Sequence, residues 1–471
     1  MTLLTLELGL AGLMVVVWLL AFRRGPERGR EAGLVTAVGL AGLLALAVVA
    51  DPRGALLDGA FVVDALARLL KQVFLLATLL GVVGGLALPD PAFRQRAPEY
   101  HLLVLASLLG MLVLASAREL ILLFVAFELM SIPLYVLAGF VKRDELAVEA
   151  SLKFFLVGSL STAVFAYGLS FLYGATGSTR LDEISRAWGA GDDALLGLGF
   201  VLVLAGVGFK IAAVPFHMWV PDTYEAASTP FVAWLSVAPK AAGFAVIFRV
   251  FIEGAGDRGA VWVPFAAALA GLTIVAGNLM ALPQTNAKRL LAYSGIAHIG
   301  YMLLGVVAQS PDGVAVVLFY LVAYLFANMG AFLVIEVVAR SEGSTAIVGF
   351  RGLAQRSPLL ALTMLLFLLS LGGIPFVVGF WAKLYVFWAV AEAGLYGFVV
   401  LGAVLTVVAL FYYLLVAKQM YIEPPASPTP VTVPPALALV LIVSALAIVA
   451  LGLYPGPLVD MAREAAAPLF F

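Results

Sequence analysis

The chain contains no cysteine. Disulfides are thereby excluded, and so are iron–sulfur clusters and zinc centres held by thiolates. Histidine is scarce too, present only as His101, His217 and His298. Three scattered residues cannot ligate several haems, and no two of them have metal-site spacing. The sequence therefore predicts no metal and places any redox step on another polypeptide. Charge is thin as well: Asp, Glu, Lys and Arg make up 12% of the 471 residues, about half the share usual in a soluble protein. With a net charge of −1 and no basic tract, nucleic acid is not an expected partner.

What remains is apolar. Hydrophobic residues reach 63% and the mean hydropathy is +1.10. Apolar runs of about 20 residues, enough to cross a bilayer core, recur from end to end. They are continuous rather than alternating, which excludes a transmembrane β-barrel. The first run, Leu3 to Phe22, ends at "RRGPERGR" with no small-residue cleavage site, so a retained span is expected rather than a removed signal. The fold class read from this pattern is an all-α polytopic membrane protein. Its fourteen spans centre near residues 13, 41, 79, 107, 130, 162, 206, 242, 271, 297, 327, 368, 408 and 444. The longest connection, Ser178 to Asp193, is expected to hold a short surface turn. "EPPASPTPVTVPP", from Glu423, reads as an extended linker, because proline denies it helix.

Lys and Arg set the orientation. Fourteen of them follow odd-numbered spans, including Arg23, Arg24, Arg28, Arg30, Lys142 and Arg143; nine lie on the other side, including Arg68, Lys71, Arg118 and Arg249. Both termini are therefore expected outside the cytoplasm. That tally leaves four lysines, Lys153, Lys210, Lys240 and Lys383, within or against apolar runs. One acid joins them, Glu128 in "ILLFVAFELMSIPLYVL". A charge near the bilayer centre costs about 2.5–3.5 kcal/mol on the lenient insertion scale, so five together exceed about 10 kcal/mol unless they are hydrated and paired. Lys153 stands near the start of its run, where it can snorkel to the interface instead. Glu128, Lys210 and Lys240 have apolar residues on both sides. A static salt bridge is the bland alternative for them, but membranes have cheaper glue in small residues and hydroxyls.

Backbone breakers coincide with these charges. "AAVPFHMWVPD" carries Pro215 and Pro221, and "LGGIPFVVGFW" carries Gly372, Gly373, Pro375 and Gly379. Both should interrupt their helices, which is tolerated at membrane depth only where the freed backbone faces protein or water. The cores Val214–Phe216 and Ile374–Phe376 lie five spans apart, each near a lysine. Such paired interruptions point to an ion pathway between inverted repeats. His217 sits at the first break, and His298 lies among Tyr293, Ser294 and Tyr301. Each histidine is either a polar packing residue or, with an ordinary pKa near 6.5, a proton carrier.

"FELMSIPLYVLAGF", "GFKIAAVPFHMWVPDTYEAASTP", "APKAAGF", "NAKRLLAYSGIAHIGYMLLG" and "GGIPFVVGFWAKLYVF" resemble the antiporter-like subunits of respiratory complex I, which are related to Mrp-type cation/proton antiporters. Among these the chain looks most like the N-type. "VPDTYEAAS" stands where the M- and L-type relatives tend to carry an "LPDAH"-like segment, and no long lateral helix follows the last span. The resemblance implies three flanking helices (1–97), two inverted five-helix repeats (98–256 and 257–422), each with one discontinuous helix, and a linker with a final span (423–471). It implies a proton relay in which Glu128 and Lys210 pair in one half-channel, Lys240 connects, and Lys383 ends the path. Lys153, His217 and His298 match supporting positions. No cofactor is implied on this chain, with FMN and iron–sulfur clusters on partner subunits. Expected partners are the other membrane subunits of the complex, including neighbouring antiporter-like subunits and the lateral helix of the L-type subunit. The expected location is the bacterial inner membrane.

Three other readings compete. A stand-alone Na+(K+)/H+ antiporter of Mrp type would use the same charges, and a membrane-bound hydrogenase or photosynthetic counterpart of complex I would contain such a subunit too. A non-transporting scaffold predicts a dry axis. A carrier of organic solutes is disfavoured, because no aromatic-lined polar pocket is evident in the sequence.

Overall fold

The structure, a computed structural model, describes residues 2–23, 27–87, 91–141, 144–188, 193–256, 258–425 and 427–470. Arg24, Lys142 and Arg143 of the loop tally and Asp257 at the repeat boundary lie outside them. Apolar runs fold as helices because a bilayer holds no water to satisfy backbone polar groups, whereas a helix satisfies its own.

Three helices lead the chain: α1 (Thr5–Leu20), α2 (Arg28–Val49) and α3 (Ala65–Gly85). A small antiparallel hairpin, β1 (Gly54–Leu56) and β2 (Phe61–Val63), joins α2 to α3, with Leu56 opposite Phe61. It departs from the all-α reading. Next come a short α4 (Pro91–Gln95), then α5 (Ala97–Ser116), α6 (Leu120–Ala138) and α7 (Glu145–Thr176). The expected surface turn is α8 (Leu181–Arg186), and it precedes the first broken span, α9 (Asp193–Ile211) and α10 (Trp219–Ala226). The eighth span is α11 (Thr229–Leu235) and α12 (Ala238–Ile247), the latter running into a π-helical segment, Phe248–Gly254. Helices α13 (Gly259–Ala281), α14 (Ala287–Val307) and α15 (Pro311–Glu342) follow. A turn of helix, α16 (Leu353–Arg356), leads into the second broken span, α17 (Pro358–Gly372) and α18 (Val378–Glu392). The chain closes with α19 (Tyr396–Tyr421), α20 (Pro435–Leu453) and α21 (Gly456–Ala466).

All fourteen expected centres fall on these helices. Twelve helices among the described residues are long and apolar enough to cross a membrane, and α1 and α17 are shorter apolar ones. The eighth span and α15 are wholly buried in the middle of the bundle. Helices α2, α7, α13, α19 and α20 form the rim and expose large apolar side chains such as Val38, Leu160, Leu272, Val407 and Leu446, the surface a lipid would cover. The linker after Glu423 is extended, as its prolines require. Helix α21 was not foreseen. It is amphipathic and buries Leu458, Ala462 and Ala465, packing on α3 and α15. The Arg53 guanidinium bonds Glu464 at 2.8 Å and Leu3 lies against Gly54, so both termini sit at one end of the bundle.

The two breaks share a cap. At the end of α9, Ala213 N donates to Gly208 O (2.8 Å) and Ala212 N to Phe209 O (3.0 Å); at the end of α17, Ile374 N donates to Leu369 O and Gly373 N to Ser370 O (both 3.0 Å). This is the pairing by which a left-handed residue closes a helix. The left-handed residue is Gly373 (φ +81°) in the second break but Ala212 (φ +68°) in the first. An alanine there carries about 1–2 kcal/mol of backbone strain. Ala212→Gly should therefore raise the melting point of the assembled protein, while Gly373→Ala should lower it, the more so because its Cβ would stand 2.8 Å from Lys383 Cδ. Thermal denaturation of the two variants measures both.

The loop tally needs correction at two cations. Lys71 lies inside α3, 2% exposed, and meets Glu7 of α1 at 2.7 Å. Arg249 lies in the π-helical segment, fully buried. It grips both carboxylate oxygens of Asp64 at 2.8 Å and Glu253 at 3.1 Å, and it donates to Ala115 O; Arg118 adds a further contact to Glu253. Their partners are distant in sequence, so the run-and-loop pattern could not reveal them. Asp64 caps α3 from just outside the span. Burial alone would raise its pKa, but the Arg249 guanidinium more than offsets this and the net shift is below the ordinary 3.8. A carboxyl depressed in the folded state contributes stability that is present above its unfolded pKa and is lost as pH falls through the folded value. Asp64→Asn should cost about 3 kcal/mol at neutral pH by leaving Arg249 short of its bidentate partner, and it should abolish that acid-side loss. Melting curves at pH 7 and pH 3.5 separate the two effects.

Candidate functional site

Lys210 occupies the last turn of α9, at the negative end of the helix dipole. The break orders the groups around it: Trp219 Nε1 donates to Phe209 O (3.1 Å), and Val214 N donates to Thr273 Oγ1 of α13 (2.9 Å). Lys210 is 2% exposed, with the rings of Phe127 and Tyr135 at 5.2 and 5.5 Å from its ammonium, which finds no hydrogen-bond acceptor among the described residues. The expected contact pair with Glu128 is not formed. Glu128 Oε1 instead accepts a bond of 2.8 Å from Thr162 of α7.

Lys240 stands in the first turn of α12, directly after a further interruption that sequence reading did not anticipate. Pro239 has no N–H to give back to α11, so the span turns at Ser236 and Val237 and restarts at Ala238. The restart sets Lys240 at the positive end of a helix dipole, opposite in sense to Lys210. Its ammonium, 1% exposed, lies 5.5 Å from the ring of Tyr224. Among the described residues, the Lys240 ammonium and the hydroxyls of Tyr224 and Tyr324 all lack hydrogen-bond partners. Gly295 of α14 makes the space between them, since a Cβ there would lie 2.6 Å from Tyr324 OH and 3.3 Å from Lys240 Nζ.

One turn along α14, His298 takes the next position. Its Nδ1 bonds Tyr320 OH (2.8 Å) and its Nε2 bonds Tyr413 OH (3.2 Å), which in turn meets Ser294 Oγ at 2.5 Å. The Tyr301 ring stands 6.4 Å from the imidazole. Lys383 of α18, 4% exposed, donates to Gly372 O (3.1 Å), the final carbonyl of α17, and lies 5.2 Å from the ring of Tyr301. Gly373 allows this approach. Lys210, Lys240, His298 and Lys383 are all buried inside the bundle, accompanied by donors and acceptors that find no partner among the described residues.

Two expected members stand elsewhere. Lys153 is half exposed on the rim and pairs with Glu149 (2.8 Å) and Asp222 (3.1 Å), with Arg289 of α14 also on Asp222 (2.8 Å). His217 lies in the first break, largely buried, beyond the end of α9. Sequence reasoning missed the tyrosines. Tyr320 and Tyr324 recur at i and i+4 in "LFYLVAYLF", one face of α15, and that spacing was the available signal.

Twelve helices long and apolar enough to cross a membrane, two shorter apolar ones and two chain breaks beside buried lysines, among the described residues, define an antiporter-like membrane subunit. A family described as "NADH:quinone oxidoreductase/Mrp antiporter, TM" matches residues 117–409, and the chain belongs to it. NADH-quinone oxidoreductase subunit N of Moorella thermoacetica is 43% identical over 470 residues, covering 99% of this chain and 98% of the relative. NAD(P)H-quinone oxidoreductase subunit 2 of a Synechocystis species is 42% identical over 399 residues, covering 84% and 76%. Among solved structures, a chain of respiratory complex I from Thermus thermophilus with bound aureothin superposes with a TM-score of 0.83 at 37% identity, covering 97% of this chain and 99% of that one. A chain of the Mrp complex from a Dietzia species gives 0.88 at 24% identity, covering 100% and 98%, a likeness of fold alone.

Proposed function

We propose that this chain is the N-type membrane subunit of a bacterial NADH:quinone oxidoreductase and that it carries protons across the membrane along its buried axis. Quinone reduction on other subunits supplies the energy, and FMN and iron–sulfur clusters there hold the redox chemistry. The observation that supports the reading is that Lys210, Lys240, His298 and Lys383 are all buried inside the bundle, with ammonium and hydroxyl groups that find no partner among the described residues.

Glu128 is the switch. In contact with Lys210 at about 4 Å, a carboxylate is worth roughly 4 kcal/mol to the ammonium at an effective dielectric near 20. Held by Thr162 instead, as here, it withdraws that support. The proton then passes through water to Lys240, through His298 and its tyrosines, and on to Lys383. Lysine suits these positions because its proton affinity moves with its surroundings, whereas arginine stays charged. Residues 98–256 and 257–422 each contribute one half of the path, and both termini face away from the cytoplasm. Neighbouring antiporter-like subunits and the lateral helix of the L-type subunit are the partners of the rim.

The test is purification followed by reconstitution. The chain should leave the membrane with peripheral iron–sulfur proteins, and vesicles holding the complex should accumulate protons when NADH reduces quinone. A chain that purifies alone and exchanges Na+ for H+ with no electron donor would assign it to the stand-alone antiporters.

A further inference from the structure

The eighth span turns at Ser236, and a side chain of α15 bonds to it there. Asn328, fully buried, donates from Nδ2 to Ser236 Oγ at 2.8 Å. Ser236 is fully buried too and gives its own proton to Ala233 O, 2.8 Å away. A hydroxyl carries one donor, so Ser236 Oγ can only accept from its neighbour, and the amide is fixed with its nitrogen toward the turn. The other end of that amide, Oδ1, has no hydrogen-bond partner among the described residues. Polar side chains do hold membrane helices together, but the nitrogen alone accomplishes that here. A buried acceptor left open calls for a donor.

Donors stand one turn away. Tyr324 precedes Asn328 by four residues on one face of α15, and Lys240 follows Ser236 by four residues across the turn. The Tyr324 hydroxyl and the Lys240 ammonium border the same space over Gly295, and neither has a hydrogen-bond partner among the described residues. Ser236 with Asn328 and Lys240 with Tyr324 are thus two rungs between the same two segments. A helical turn is about 5.4 Å, the length one water spans between two hydrogen-bonding atoms. The ring of Tyr324 lies in turn 5.2 Å from that of His298. We propose that Asn328 is a positioning residue for proton transfer at Lys240, its carbonyl holding the water that takes the lysine's proton toward Tyr324 and His298. The proposal rests on Lys240 being a relay residue. A cation in the first turn of α12 gains nothing from the helix dipole and needs an acceptor close by. A neutral amide oxygen supplies one without the full negative charge that would keep the proton in place.

The test uses the intact complex in vesicles and reads acidification per electron, together with the effect of heavy water on coupled turnover. Asn328→Leu, close in volume and free of polar atoms, should cut acidification about tenfold, the order one hydrogen bond to a charged group contributes. It should also enlarge the solvent isotope effect, because the step at Lys240 becomes limiting. Ser236→Ala leaves the carbonyl but lets the amide turn over. It should show a smaller loss in the same direction, and it serves if the leucine variant fails to assemble. Lys240→Met separates the two claims. If that variant pumps fully, the relay reading falls and this proposal with it. If it is inactive while Asn328→Leu pumps fully, the proposal alone is overturned. Full pumping in Ser236→Ala overturns it too, and so does a loss in Asn328→Leu with an unchanged isotope effect, which would mark a purely structural residue.

Discussion

Replacing Lys210 by methionine should abolish proton transport coupled to quinone reduction while leaving the complex assembled. In the proposed relay the ammonium is the first stop after Glu128, buried and with no hydrogen-bond acceptor among the described residues. A bare charge crossing from there to Lys240 meets a penalty of about 3 kcal/mol on the lenient scale, a slowing of roughly a hundredfold. Lys210→Arg is the sharper variant. It keeps the charge, the dipole interaction with α9 and the contact with the rings of Phe127 and Tyr135, but arginine does not give up its proton. It should be as inactive as the methionine variant. Full pumping in Lys210→Arg would mean that the residue is a structural counter-ion and not a carrier. The measurement is vesicle acidification per electron, with electron entry into a soluble acceptor as the control for assembly.

The second large effect is expected at a residue with no functional group. Gly295→Ala should cut pumping by about tenfold, because its Cβ enters the space shared by Lys240 and Tyr324 and excludes the bridging water. Alanine is the better helix former by roughly 0.5–1 kcal/mol, so the loss cannot be charged to a weaker α14. The clash is with the Tyr324 hydroxyl, whose ring carbon stands 3.9 Å away. Adding Tyr324→Phe should therefore recover much of the activity. A double variant as impaired as Gly295→Ala alone would show that the tyrosine hydroxyl itself is needed.

Much of this architecture could be read from residues alone, and the reasons are physical. Spans are legible because a bilayer demands unbroken apolar length, and the two breaks are legible because Pro215 and Pro375 cannot sit unnoticed in such a run. Glu128, Lys210, Lys240 and Lys383 stand out for the same reason, each a charge with apolar neighbours on both sides. What escaped depends on contacts across sequence. Lys71 and Arg249 lie near the ends of apolar runs and read as loop cations until Glu7 and Asp64 are brought beside them. For Lys153 the residues left relay and snorkelling open, and the structure puts it half exposed on the rim with Glu149 and Asp222. The kink at Pro239 was hidden because a proline at the first turn of a helix is ordinary, and only the structure shows that α12 begins there. Tyr320 and Tyr413, which meet His298 from α15 and α19, were overlooked because a tyrosine among apolar residues reads as packing until its hydroxyl meets an imidazole.

The account stands or falls on hydration of the axis. A map of the assembled complex in a lipid disc, at a resolution that shows water, is the most direct measurement. The expected result is a file of ordered water touching Lys210 Nζ, Lys240 Nζ and Tyr324 OH and reaching the His298–Tyr413 group beside Lys383. A dry, close-packed interior between Lys210 and Lys240, with each ammonium bonded only to protein, would contradict it.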